Sequence, residues 1–366
     1  MAEIALKAGV AKSTVSMALR NHPRIAQENR LRIQKIAQEM GYQTNALVAQ
    51  LMAELRRNKK SNYVANLALI NVSKFADLAD RISVVAEWEE GTKQRALSLG
   101  YELDLFWLEQ PGVSVNRLSK ILHARGIQGA IFYGIRSNEC LQRCEAIWSH
   151  LPTVTIGYRS ESPALNFVTN DLYATALQAC SQLREAGYKR IGIVLDKWLD
   201  TLLEHRYIAG YYASFPQVSD ALPILYLEDP RESPRPQGKE RFCDWVRRWR
   251  PDACVCINSF ILDWVKELGI EMPSQMGVAF LDLSREFKGK VAGMYQSASW
   301  TGMKAVDLLV GHIHRRESGV PLFQNGLLIE SQWSPGPTAR KICLSEPIKA
   351  SKKSALKVKK GQETKT

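Results

Sequence analysis

Between Lys12 and Arg20 the chain places Lys12, Ser13, Thr14, Ser16, Met17 and Arg20 around three apolar residues, Val15, Ala18 and Leu19. If Val15, Ala18 and Leu19 are buried at helical spacing, Lys12, Ser13, Ser16, Met17 and Arg20 are left on an exposed face. An exposed lysine can donate to guanine O6 and N7, a serine can bond a base or a phosphate, and a methionine offers only apolar contact, as with a thymine methyl. Such a face needs a support. The stretch IALKAGVAKSTVSMAL, residues 4–19, supplies one: two short apolar-patterned segments joined at Gly9, with Ile4 and Leu6 expected to pack inward. Glycine tolerates the left-handed conformation that closes a helix. Two helices crossed through so tight a turn form a helix-turn-helix, whose second helix fits the major groove of B-DNA. A helical hairpin that merely packs in a core has the same pattern.

Other groups that could do chemistry are sparse. Cys254-x-Cys256 lies in an apolar run with no second pair to complete a zinc site, and His312-x-His314 reads as two exposed helix residues. There is no P-loop, G-x-G-x-x-G, H-E-x-x-H or G-x-S-x-G. The expectation is therefore no catalytic residues, no metal and no cofactor.

Charge distribution points the same way as the opening stretch. The net charge of +12 divides into +7 over residues 1–60, +6 over 341–366 and −1 over everything between. A polyanionic partner would be met at the ends and not by the large middle. No apolar run approaches the ~20 residues of a membrane span. The N-terminus lacks a signal-peptide pattern. Seven cysteines at irregular spacing imply free thiols in a reducing cytoplasm.

The elements that must carry these groups can be read in order. After a turn at Asn21-His22-Pro23, IAQENRLRIQKIAQEMGY predicts a third helix closed by Gly41, and Ile4, Val15, Leu19, Leu31 and Ile36 are the expected core of the small bundle. An amphipathic segment, ALVAQLMAELRRNKK, follows. From residue 63, apolar runs of strand length alternate with amphipathic stretches: VANLALINV, RISVVAEWEEGTKQRALSLGY, ELDLFWL, IQGAIFYGI, LPTVTIGY and KRIGIVLD among them. This rhythm predicts parallel sheets with helices on both faces. About 280 residues of it exceed one doubly wound sheet, so two lobes with a ligand cleft between them are expected. The domains are then 1–44, a helix-turn-helix domain; 45–62, an amphipathic segment and linker; 63–340, a two-lobed domain of two doubly wound parallel sheets; and 341–366, a basic disordered tail.

At this level of detail the chain resembles the LacI (lactose-repressor) family over roughly residues 1–340. AGVAKSTVSMALRNHPRIAQENRLRIQKIAQEMGY is similar to that family's AGVSxxTVSxxLN…V(S/A)xxTRxRIxxxAxxxGY pattern. GYELDLF, RGIQGAIFYG, LPTVTIGYR, VTNDLYATALQACSQLREAGYKRIGIV, RYIAG, RPDACVCIN, LGIEMPSQMGVAFLD and AGMYQSASWTGMKAVDLLV follow in the family's order. The resemblance implies a DNA-binding headpiece, a hinge helix, a lobed effector domain like the periplasmic sugar-binding proteins, and a homodimer. It implies base reading by Lys12, Ser13 and Met17, phosphate contacts from Thr14, Ser16 and Asn21, and a minor-groove wedge at Leu51. Ala49 stands where the family usually has Arg, and Leu47, Leu51 and Leu55 also suit a linker helix packed on its dimer mate.

For the effector, the resemblance implies Arg206 in RYIAG, a planar fork for sugar hydroxyls or a carboxylate. It also implies Asp282 in AFLDLS, Asn258 (followed by Ser259 where the family has Asp) and Gln296. Each also suits an internal polar role tying lobe to lobe, with ligand contact the favoured reading. Val84-Val85 replaces the family's paired aromatics, so Trp88, Trp198 or Phe75 is the expected stacking wall. The family also begins several residues earlier, with a Thr that caps the first helix, so the assigned start at Met1 is expected to be late. The reading is a sequence-specific transcriptional regulator, expected to be a repressor, with palindromic double-stranded DNA, a sugar-like effector and a second copy of itself as partners, and no membrane. A sugar-binding protein or an α/β enzyme on the same scaffold is the alternative.

Overall fold

A computed structural model describes residues 2–19, 25–40, 65–228 and 235–341. Among these, three helices open the chain: α1 Ala2–Ala8, α2 Lys12–Leu19 and α3 Gln27–Glu39. They share a core of Ile4, Ala5, Ala8, Val15, Ala18, Ile33 and Ala37. Gly9 turns the corner with φ +64, and the amides of Gly9 and Val10 bond back to the carbonyls of Leu6 and Ala5. From α3, Arg32 donates to Ala8 O and Gln34 to Ala18 O, each at 3.1 Å, so one helix closes the C-terminal ends of the other two. Two expected core residues are outside: Leu6 is 88% and Leu31 58% exposed. Each lies two positions from a buried isoleucine, a spacing that puts it on another face of a helix. Leu19 and Ile36 are half-buried at the edge of the cluster.

The remainder forms two six-stranded sheets. Lobe A contains β1 Ala65–Asn71, β2 Tyr101–Trp107, β3 Ile127–Tyr133, β4 Thr153–Ile156, β5 Asn166–Asn170 and β11 Gly326–Ile329, in the order β11-β5-β4-β3-β1-β2. Every pairing in it is parallel. Lobe B contains β6 Ile191–Asp196, β7 Leu225–Leu227, β8 Ala253–Cys256, β9 Gly277–Leu283, β10 Ala292–Tyr295 and β12 Gln332–Ser334, in the order β12-β10-β9-β8-β6-β7, with β12 alone antiparallel. The inner strands are largely apolar because helices cover both faces; β4, β6 and β8 are buried along their whole length. The helices that matter for the cleft are α4 Ser83–Ser98, α5 Leu172–Glu185, α6 Lys197–Leu202, α7 Arg206–Ala213 and α8 Ala298–Arg315.

The chain passes between the lobes three times: from β5 into α5, from β10 into α8, and from β11 into β12. Helix α8 leaves a lobe B strand yet buries Ala305, Val306 and Leu309 in the core of lobe A. It crosses α4 at a contact made by two glycines. A Cβ on Gly91 would lie 1.8 Å from Ser299 O, and one on Gly302 would lie 2.2 Å from Trp88 O. The crossings are fastened by buried polar groups. Asn170 Nδ2 donates to Gln296 O at 2.7 Å, Thr301 Oγ1 donates to Asn170 Oδ1 at 3.3 Å, Asp171 N donates to Ile329 O at 2.8 Å, and the hydroxyls of Thr175 and Ser331 meet at 2.7 Å.

His312 corrects a further expectation. It is buried, with Nδ1 2.6 Å from Glu317 Oε2 and Nε2 3.0 Å from Asn166 Nδ2. Six cysteines among the described residues are free thiols, including Cys254 and Cys256 inside β8. No described helix is long and apolar enough to cross a membrane.

Candidate DNA-binding face and inter-lobe site

Helix α2 buries Val15 and Ala18, which turns Lys12 and Ser13 to solvent and leaves Thr14 and Met17 half-exposed. The side chain of Ser16, and Asn21 and Leu51 altogether, lie outside the described residues. Ala11 precedes the helix and accepts the amides of Thr14 and Val15 through its carbonyl, but it has no side-chain oxygen to cap the first turn. The N-terminal end of α2 therefore presents backbone donors and a lysine together, an arrangement that suits phosphate and base edges.

Between the lobes, polar side chains gather at the carboxyl ends of the strands, where open α/β sheets bind ligands. Arg206 opens α7 and donates through Nε and Nη2 to Glu204 Oε2 at 2.9 and 2.6 Å. The other oxygen of Glu204 accepts from Nη1 of Arg159, which follows β4 in lobe A. Glu204 and His205 are both left-handed, with φ 55 and 57, a conformation that costs a non-glycine residue about 1 kcal/mol or more. Asp200 holds that turn: its Oδ2 lies 2.6 Å from His205 Nδ1 and accepts from the Tyr226 hydroxyl at 2.7 Å. Asp200 Oδ1 is buried without a hydrogen-bond partner among the described residues.

In lobe B, just past the end of β8, Asn258 Nδ2 donates to both oxygens of Asp196, at 3.1 and 3.0 Å. That contact fixes the amide and leaves Asn258 Oδ1 as its acceptor. Burial, and then the nearby Glu87, push the Asp282 carboxyl up to about 6. Tyr207, beside Asp282, is raised by burial and by that carboxylate. On α4, Glu87 Oε1 accepts from the Arg285 amide at 3.3 Å and Oε2 from the Tyr295 hydroxyl at 3.4 Å, while Glu90 takes Arg285 Nη1 at 3.1 Å. Arg136 of lobe A lies 4.2 Å above the Trp198 ring of lobe B. The contacts that span the gap are thus polar and part-exposed. Pairs of this kind contribute ~0.2–1 kcal/mol each, so lobe separation is within a ligand's reach.

The model of the bacterial regulatory proteins of the lacI family matches residues 1–45. The HTH-type transcriptional regulator DegA of Bacillus subtilis (strain 168) is 22% identical over 287 residues, covering 76% of this chain and 80% of DegA. The transcriptional repressor PurR of Actinobacillus pleuropneumoniae serotype 3 (strain JL03) is 20% identical over 320 residues, 85% of this chain and 90% of PurR. Among solved structures, the complex of the regulator CelR with cellobiose superposes with a TM-score of 0.59 at 17% identity, over 92% of this chain and 98% of that one. The lac repressor dimer bound to operator and the anti-inducer ONPF gives 0.56 at 16%, with the same coverage. The first 45 residues thus match the lacI family of bacterial regulatory proteins, and the rest shares the two-lobed fold of those structures. Its headpiece is that of a helix-turn-helix transcriptional regulator.

Three of the five expected effector residues meet lobe A across the gap: Arg206 through Glu204, Asp282 beside Glu87, and Trp198 under Arg136. Asn258 is held within lobe B by Asp196, and Gln296 stands behind the gap. Gln296 is buried, and its Nε2 is spent on the Tyr207 hydroxyl at 2.7 Å and Leu281 O at 3.0 Å. It ties a lobe crossing to the wall of the site, the internal role open to it from the start. Trp198 carries Arg136 on its ring, and Phe75 carries Arg81 at 4.5 Å. Trp88 packs in the lobe A core, its ring filling the space beside Gly157. Arg159, Glu204, Asp196 and Glu87 were not foreseen. Arg159 and Asp196 end or follow strands, a position that could have singled them out; Glu204 carries no such mark.

Proposed function

We propose that the protein is a repressor of the bacterial cytoplasm that binds a palindromic operator as a homodimer and holds a sugar or sugar derivative between its lobes. Lys12, Ser13 and Met17 read base edges; Thr14, Ser16 and Asn21 hold phosphates; Leu51 enters the minor groove at the operator centre. Arg206, Asn258 and Asp282 take the effector, with Trp198 as the stacking wall once Arg136 moves aside. CelR is known with cellobiose bound, which favours a saccharide here. No catalytic step is assigned.

The observation that carries this reading is the composition of the gap: charged side chains from both lobes meet across it, in part-exposed contacts, between lobes joined at three crossings. A ligand that prefers one lobe arrangement shifts that equilibrium by its differential affinity, and operator affinity follows. The experiment pairs recovery of genomic fragments on the purified full chain with a saccharide thermal-shift screen. Enrichment of a few palindromic sites, released or tightened by a stabilising saccharide, is expected. Uniform recovery of fragments would sink the regulator reading. Replacing Arg206 should remove the ligand response and leave operator binding intact; loss of both would refute the separation of the two sites.

A further inference from the structure

We propose that the effector carries an acidic group, a carboxylate or a phosphate monoester, which binds by taking the place Glu204 now holds between Arg159 and Arg206. This rests on the reading of the gap as the effector site. The two guanidinium groups come from opposite lobes and each engages a different oxygen of one carboxylate, Arg159 on Oε1 and Arg206 on Oε2. That is the geometry in which arginine recognises carboxylates and phosphates. With two cations on one anion the seat keeps a positive surplus. The carboxylate occupying it comes from a strained place: Glu204 and His205 are consecutive left-handed residues without a glycine, a conformation that persists only while its surroundings impose it. An acid that replaces Glu204 preserves the bridge between lobes, while Asp200 goes on holding the turn at His205. A neutral hydroxyl has no comparable claim on two guanidiniums already joined by a carboxylate. Asn258 and the partly exposed Asp282 then remain as acceptors for hydroxyl groups elsewhere on the ligand.

The test is chemical rescue in the full chain. Thermal unfolding of Glu204→Ala is followed in sodium acetate and in sodium chloride at equal ionic strength, and repeated in the Arg159→Ala/Glu204→Ala double variant. The expected result is a midpoint several degrees higher in acetate than in chloride for the single variant, with the difference lost in the double variant. Equal midpoints in the two salts for the single variant overturn the proposal, as does a rescue that survives in the double variant. Should Glu204→Ala not fold, Glu204→Ser vacates the same place and is held to the same comparison. Calorimetry with glucuronate, glucose 6-phosphate and glucose separates the two acid classes. At least one acid should bind Glu204→Ala about tenfold more tightly than glucose, and glucose matching both acids overturns the proposal. Operator binding is read separately by gel shift: its loss in the wild-type chain counts against the regulator reading and leaves the acetate result standing.

Discussion

The side-chain amide of Asn170 donates to the backbone carbonyl of Gln296 across 126 positions of sequence, at 2.7 Å and out of contact with water. It fastens the first lobe crossing to the second, and Thr301 completes the amide from the other side. Asn170→Ala removes the donor and strands both partners. Each buried group left unpaired costs ~1–3 kcal/mol, so a loss of about 3 kcal/mol is expected in urea unfolding. A change below about 1 kcal/mol would mean that the crossings are held by packing alone.

The glycine contact between α4 and α8 gives a second expectation. Gly302→Ala must push a methyl toward Trp88 O, and overpacking against backbone costs ~1–3 kcal/mol or more. In the same helix, Gly311 meets only the flexible end of Arg315, so Gly311→Ala should be neutral or stabilising by up to ~1 kcal/mol. The pair is compared by thermal denaturation. Equal effects would show that the helix crossing adjusts freely.

Asp282 makes stability depend on pH in an unusual direction. Its folded-state value, about 6, lies above the ordinary aspartate value of 3.8. The unfolded chain therefore ionises first, and the cost of burying the charge is fully present above pH 6 and fades as pH falls toward 4. About 2–3 kcal/mol is involved at neutral pH. Asp282→Asn should be more stable than the wild type at neutral pH and lose that advantage at pH 4, while its ligand response weakens. Urea unfolding at the two pH values reads the first part, and parallel curves for the two proteins would contradict it.

On the DNA face, Met17→Ala should relax discrimination at one or two base pairs by ~1–3 kcal/mol each. Lys12→Ala should add a loss at a guanine. Selection from randomised operators measures both, and an unchanged consensus would remove these residues from base reading.

Much of the architecture was legible because apolar runs of strand length and helical stripes repeat along residues 65–341, and the periods survive without tertiary knowledge. The misplaced residues were errors of period. Leu6 and Leu31 are hydrophobic enough to suggest the core, but Ile4 and Ile33 two positions away already claim the inner face. His312 continues the buried stripe of Val306 and Leu309 on α8, which the His-x-His spacing concealed. The gap was legible only in part. Arg206, Asn258 and Asp282 were found through motif resemblance. Glu204 meets Arg159 across 45 positions, and its left-handed turn contains none of the glycines or asparagines by which such turns are recognised. The three crossings, too, exist only in the folded chain.

Those crossings have a bearing on how the protein is made. Lobe A cannot be finished when its first five strands have been synthesised, because β11 and the helix that covers β3, β4 and β5 come from residues 298–329. Between Asn170 and Ala298 a ribosome working at ~5–20 residues per second needs roughly 6–25 s. Through that interval the apolar face of the lobe A sheet, Ile131, Val154 and Val168 among it, waits uncovered outside the exit tunnel. The nascent chain is thus a client for a holding chaperone at one definable stage, and a chain truncated before Ala298 should aggregate where the complete one folds.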